Sequence, residues 1–269
     1  MNVLILTDLS PVAKNAGEFA LQFLRDTPVK FHLLNIGQFH TNRDPLLLGS
    51  ERMAAAMEIV NRRIGELRKI TKNPDHQFEG LYSENDLVTA TRHYTDSRKI
   101  DLIVMGAASK GFSPHTIVGN QTYEILQKVK CNLLAVAEDS KFRDIEKLIF
   151  PYTYYPSLDE NIKKLQNFPP LKESVEINLL EIFGTPYEEE LGAGADGVLV
   201  ATETTGKIKH LKVRDQEIFS ISHLQKLQED FDLITLMGRD ITLCYKLHHN
   251  KYGIFSTISG KLPIFILHD

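Results

Sequence analysis

The sequence predicts an α/β protein made of two tandem doubly wound parallel-sheet units, and three observations carry that prediction. Short apolar runs alternate with amphipathic stretches of helical period, as in strands joined by helices that cover both faces of a sheet. The runs are continuous rather than alternating, Val3-Leu4-Ile5-Leu6 and Leu102-Ile103-Val104-Met105 among them, which suits strands buried on both sides. The series then recurs in the second part of the chain, the mark of an internal duplication.

In order, residues 3–6 read as a first strand, and Thr7-Asp8-Leu9-Ser10-Pro11 as the loop into a helix over 12–24. A second strand over 31–36 is followed by a long helix over 52–72, whose Met53, Met57, Val60, Ile64 and Leu67 recur at spacings of three and four. That stripe is core packing or a partner surface. Residues 78–82 read as a strand, 85–97 as a helix, 101–105 as a buried strand, 121–130 as a helix and 132–136 as the closing strand.

The second part repeats these runs. Residues 147–151 match the first strand, 175–183 match 29–37, Phe231-Asp232-Leu233-Ile234 matches Ile100-Asp101-Leu102-Ile103, and 262–267 match 131–136. Offsets of about 146 residues early and about 132 late leave the second part about 14 residues short in its middle. There, Gly192-Ala193-Gly194-Ala195-Asp196-Gly197 precedes alternating residues up to Arg214, and a short hairpin is expected in place of the long helix. The boundary falls between Glu138 and Glu146, giving units of 1–140 and 141–269.

Composition narrows the function classes. No run approaches the roughly 18–20 apolar residues of a membrane helix, and the start lacks a basic, cleavable leader, so a cytoplasmic protein with no membrane partner is expected. The net charge of −4 lies almost wholly after residue 140 and neither part is basic, which argues against nucleic acid as a partner. Cys131 and Cys244 stand in apolar surroundings and read as reduced packing residues.

A doubly wound sheet takes ligands beyond the carboxyl ends of its strands, where strand order reverses. Those ends are Thr7-Asp8, Asn35-Ile36 and the stretch after Met105, where Gly106-Ala107-Ala108-Ser109-Lys110-Gly111 leads through Gly119-Asn120-Gln121-Thr122 into a helix. Small residues let backbone N–H groups approach phosphate oxygens, and a helix N-terminus adds partial positive charge. The arrangement suits an anionic ligand.

At these residues the chain resembles the universal stress protein family, whose nucleotide-binding members carry G-x2-G-x9-G-[ST] after a strand ending in Val-Met-Gly. The resemblance spans the first 138 or so residues and is fainter beyond, as in tandem members with a degenerate second domain. It implies ATP or a related adenine nucleotide, with Asp8 and Ile36, next to Thr7, beside adenine and ribose and Met105 at the base. Gly106, Gly119 and the following helix start would hold ribose and phosphates. Two positions depart from the motif: Ser109 replaces the second glycine, with Gly111 two residues later, and Asn120 replaces the Ser/Thr, with Gln121 and Thr122 following. In the second part Phe150-Pro151-Tyr152 stands for Leu6-Thr7-Asp8, and Gly238 begins an interval filled with bulky residues up to Gly253, so no nucleotide is expected there. The resemblance also implies pairing of the two units through 132–136 and 263–267; a homodimer is left open.

Other readings stand beside these. Asp8 can simply cap the helix near Pro11, and Gly106 and Gly119 can be turn glycines. His248-His249 on a strand point to opposite faces, and Glu188-Glu189-Glu190 lacks calcium-loop spacing, so no metal site is expected. The sequence has no G-x-S-x-G elbow, no G-x4-G-K-[ST], no H-E-x-x-H and no Cys with an evident His partner. The expected role is a non-enzymatic, nucleotide-responsive stress or signalling module with an unidentified protein partner. The alternatives are a ligand-free interaction scaffold and a slow ATPase, the last lacking a recognisable base.

Overall fold

The computed structural model describes residues 1–37, 49–107, 120–152, 158–171, 175–183, 200–205, 208–214, 230–238 and 262–268. The first part runs β1 (Asn2–Thr7), α1 (Pro11–Phe23), β2 (Lys30–Ile36), α2 (Gly49–Ile70), β3 (Gln77–Ser83), α3 (Leu87–Ser97), β4 (Leu102–Gly106), α4 (Asn120–Lys128) and β5 (Asn132–Val136). The second runs β6 (Lys147–Tyr152), α5 (Leu158–Gln166), β7 (Glu176–Phe183), β8 (Val200–Thr205), β9 (Ile208–Arg214), β10 (Leu233–Met237) and β11 (Ile264–Leu267).

All eleven strands form one sheet, in the order β3-β2-β1-β4-β5-β11-β10-β6-β7-β9-β8. The first five pair in parallel. The sheet is mixed as a whole, because β5 meets β11 antiparallel, Phe265 opposite Leu134. The pairs β11-β10, β10-β6, β6-β7 and β7-β9 are again parallel. Outward from the centre, β11-β10-β6-β7-β9 follows the same parallel arrangement as β5-β4-β1-β2-β3, and β8 is added antiparallel at the outer edge.

Successive residues of each strand go to opposite faces, and both faces are filled. Leu4, Leu6, Ile103 and Met105 pack with Val88, Ala90, Ile125 and Leu126 from α3 and α4. Val3, Ile5, Leu102 and Val104 pack with Phe19 and Ala20 of α1 and with Val60, Ile64 and Leu67 of α2. This double burial is why the strand sequences lack alternation. Of the stripe on α2, Met53 is 52% exposed and lies outside the core that Val60, Ile64 and Leu67 enter.

Two equivalences differ from the sequence reading by one residue. Leu6 faces Leu34 in the first part, and Pro151 faces Leu180 in the second. Tyr152 therefore corresponds to Thr7, and position 153, outside the described residues, corresponds to Asp8. Likewise Gly106 faces Val136 while Met237 faces Leu267, so Met237 and not Gly238 is the counterpart of Gly106. Apolar runs fix which segments are strands but leave a one-residue slide between distant copies undetermined.

The middle of the second part contains an antiparallel β8–β9 pair with a bulge between Ala201 and Glu203. Its β9 lies beside β7 as β3 lies beside β2. Helix α5, which apolar spacing did not announce, buries only Asn161, Ile162 and Leu165; Asp159 and Glu160 in its first turn and Lys163 and Lys164 in its last complement its dipole. Cys131 is buried, and that burial pushes its thiol up to about 12, which makes it an inert packing group. Cys244, His248, His249, Glu188, Glu189 and Glu190 lie outside the described residues.

Candidate functional site

Strand order reverses between β1 and β4: β2 and β3 lie on one side of β1, β4 and β5 on the other. The register Ile5 opposite Val104, carried on two residues, brings Thr7 level with Gly106, and Thr7 also pairs with Asn35. The ends of β1, β2 and β4 thus form one edge. This is the point of strand reversal at which a doubly wound sheet takes ligands.

Thr7 is buried; its Oγ1 accepts a hydrogen bond from the Leu9 N–H at 3.1 Å, and its carbonyl accepts from Asn35 Nδ2 at 2.8 Å. Asp8 is exposed, and its Oδ1 accepts from the Ser10 N–H at 3.0 Å. Leu9, between Asp8 and Ser10, has φ +67°, the left-handed region that costs a branched side chain about 1 kcal/mol or more. Two side-chain bonds hold that turn in place. Helix α1 is capped by Ser10, whose Oγ accepts from the Ala13 N–H at 3.3 Å, with Pro11 opening the first turn. Capping α1 is therefore the work of Ser10, and one oxygen of Asp8 stays available at the surface.

At the end of β4, Met105 is buried, as is Ile36 at the end of β2, so their side chains belong to the core and only backbone reaches the edge. A Cβ on Gly106 would lie 2.7 Å from Val12 Cγ2. The glycine lets α1 close on β4. Ala107 N–H donates to the Val136 carbonyl at 2.8 Å. In the first turn of α4, Gln121 is exposed, and Thr122 is buried with its hydroxyl donating to the Gly106 carbonyl at 2.9 Å. That bond seats the helix N-terminus over the end of β4. Asn120 opens the helix, while Ser109, Gly111 and Gly119 lie outside the described residues.

The structure thus gathers Thr7, Asp8, Ile36, Met105, Gly106, Gln121 and Thr122 at one edge, some through backbone alone. Two further residues shape this edge, and only the first carried a sequence signal. Asn35 is fully buried and braces β1 from β2; a polar residue ending an apolar run was its signature. Tyr82, half-buried on β3, brings its hydroxyl to the place a side chain on Gly37 would occupy. Nothing in the spacing marks it.

Among the described residues, no group of three or more His, Cys, Asp or Glu side chains is placed to hold a metal ion. No described helix is long and apolar enough to cross a membrane.

Comparison with solved structures places this architecture. A universal stress protein from Archaeoglobus fulgidus superposes with a TM-score of 0.59 at 13% identity, covering 99% of this chain and 96% of that one. UspA from Lactobacillus plantarum is 24% identical over 50% of this chain and 96% of its own, with a TM-score of 0.39. A universal stress protein family protein from Arabidopsis thaliana, solved with AMP bound, is 12% identical over 51% of this chain and 91% of its own, with a TM-score of 0.35. Comparison with curated proteins returns no match. The model of the universal stress protein family matches residues 1–137, just over half of the 269, and with the α/β sheet described above it follows that the chain belongs to the universal stress protein family.

Proposed function

We propose that the first part of the chain binds an adenine nucleotide, ATP or a close relative, at the edge formed by β1, β2 and β4, and acts through binding and not turnover. The observation that carries this is the turn after β1. Asp8 is exposed at the point of strand reversal, and the residue after it, Leu9, is held in a costly backbone conformation by hydrogen bonds to the side chains of Thr7 and Asp8. Strain of this kind collects at ligand sites. In this reading the Asp8 carboxylate accepts from ligand hydroxyls, while Gly106 and the N-terminus of α4 offer backbone N–H groups to phosphate.

The second part, 141–269, is a degenerate copy in which Tyr152 and Met237 replace Thr7 and Gly106, and it takes no nucleotide in this way. In this reading the chain serves as a stress-response or signalling module in the cytoplasm, signalling to a protein partner through the state of this site.

A second reading, a scaffold without ligand, has its own support. The absence of a side chain at Gly106 is accounted for by Val12, and the Thr122 hydroxyl is used within the fold. Thermal unfolding separates the two. A ligand at a hundredfold excess over its Kd stabilises by about 2.7 kcal/mol, which for a chain of this size raises Tm by roughly 5 °C or more. ATP or AMP should produce that rise, and Asp8→Ala should remove it while leaving the Tm without nucleotide within about 2 °C. No rise at millimolar nucleotide selects the scaffold. Phosphate release above background, abolished by Asp8→Ala, would instead establish the ATPase.

A further inference from the structure

Helix α1 begins at the candidate site and ends against the second part of the chain. Its 13 residues span about 20 Å. At its start Ser10 caps the helix behind the strained Asp8-Leu9 turn, and Val12 packs on Gly106. One turn on, Asn15 Nδ2 donates to two carbonyls of the segment leaving β5, Ala137 at 2.7 Å and Ser140 at 2.8 Å. Phe19 meets Phe142 edge-on at 5.3 Å, and Arg25, just past the helix, pairs with Asp144 at 2.8 Å. Phe23 reaches Phe168 and Phe265 of the second part at 6.5 and 6.3 Å. The same connector then passes to Asp232, which pairs with Arg143 at 2.6 Å and accepts from the Glu146 and Lys147 N–H groups at 3.0 and 2.9 Å.

We infer that α1 couples the first-part site to the second part, with Asn15 as the positioning residue that fixes the connector to the helix. This rests on the nucleotide reading above and goes beyond it. A ligand on Asp8 and on the backbone of Gly106 grips both sides of the Val12 contact, so α1 loses freedom at its start. A rigid helix carries that restriction to every group bonded along it. Asn15 is the polar attachment made from within the helix, beside the exposed Arg25–Asp144 pair past its end: two carbonyls share one amide, and neither Ala nor Asp at this position can supply it.

Hydrogen exchange of the full chain, with binding measured in parallel by calorimetry with ATP as the probe, tests this. In the wild type, saturating ATP slows exchange over residues 138–152 by about fivefold or more, the lower end of ordinary coupling. Asn15→Ala and Asn15→Asp still bind ATP, yet exchange over 138–152 no longer responds. Lys14→Ala, altering an exposed neighbour whose Glu18 partner lies 3.9 Å away, keeps the response. Should the Asn15 variants fold poorly, Phe142→Leu loosens the same connector and gives the same loss. ATP binding with no slowing in the wild type overturns the coupling and leaves the site standing. Slowing that persists in the Asn15 variants and in Phe142→Leu overturns the route through α1. No heat of binding at millimolar ATP overturns the nucleotide reading, and the coupling falls with it.

Discussion

His32 shows how a single side chain sets a pH response. It lies in β2 at 1% exposure, with Nδ1 3.2 Å from a Glu79 oxygen but neither ring nitrogen in hydrogen-bonding geometry. Glu79 is bonded instead by Lys30 at 2.9 Å and Arg98 at 2.7 Å, so little of its charge is left to hold an imidazolium. Burial therefore prevails over the attraction of Glu79, and Lys30 and Arg98 add repulsion; the His32 pKa lies below the usual 6.5. The unfolded chain binds this proton near 6.5 and the folded chain does not, so the contribution to stability is complete above that pH and is lost as pH falls toward the depressed value. Glu79, lowered first by its bond to Lys30, loses its own contribution only below the ordinary 4.5. Urea midpoints should therefore drop from pH 7 to 5.5. In His32→Asn, which copies Asn178 at the equivalent position of β7, that drop should shrink; an unchanged pH profile would assign the titration elsewhere.

At the scale of elements, the contact between α1 and β4 depends on one missing side chain. A Cβ at Gly106 would sit 2.7 Å from Val12 Cγ2, well inside contact distance, so Gly106→Ala forces the helix away from the sheet. Overpacking of this kind costs about 1–3 kcal/mol. The expected result is a lower urea midpoint, largely restored in Gly106→Ala/Val12→Ala; failure of the second change to restore it would place the glycine's role in the loop instead. Comparable interactions also stand at corresponding strand positions of the two parts. Lys30 pairs with Glu79 across β2 and β3 at 2.9 Å, and at the matching place Glu176 pairs with Lys209 across β7 and β9 at 2.8 Å. The two pairs carry their charges on opposite strands. Asp101 and Asp232 likewise each accept from the backbone N–H that starts β1 or β6.

Over the whole molecule, the antiparallel meeting of β5 and β11 joins a five-stranded and a six-stranded arrangement into one sheet and removes an exposed edge from each, the feature that invites aggregation. Phe265 lies in that seam at 0% exposure, in contact with Phe23 of α1 and Phe168. Truncation of such a ring costs about 3–5 kcal/mol. Phe265→Ala should therefore destabilise both parts, seen as a fall in protection over 132–136 as well as 264–267; loss confined to β11 would show that the parts unfold independently.

The sequence by itself determined which segments are strands and which are helices in the first part, because burial on both sheet faces demands continuous apolar runs and helices show a stripe. It also singled out Thr7-Asp8 and Gly106, which close the first and fourth apolar runs of the first part, as neighbours at one sheet edge. The tertiary structure alone decided the rest. That Ser10 and not Asp8 caps α1, that Gly106 is emptied for Val12, that Asn35 braces Thr7 and that Met237 takes the place of Gly106 are all outcomes of contacts between residues far apart in the chain. Local pattern records how each segment meets the core as a whole; it does not record which particular atom it meets there.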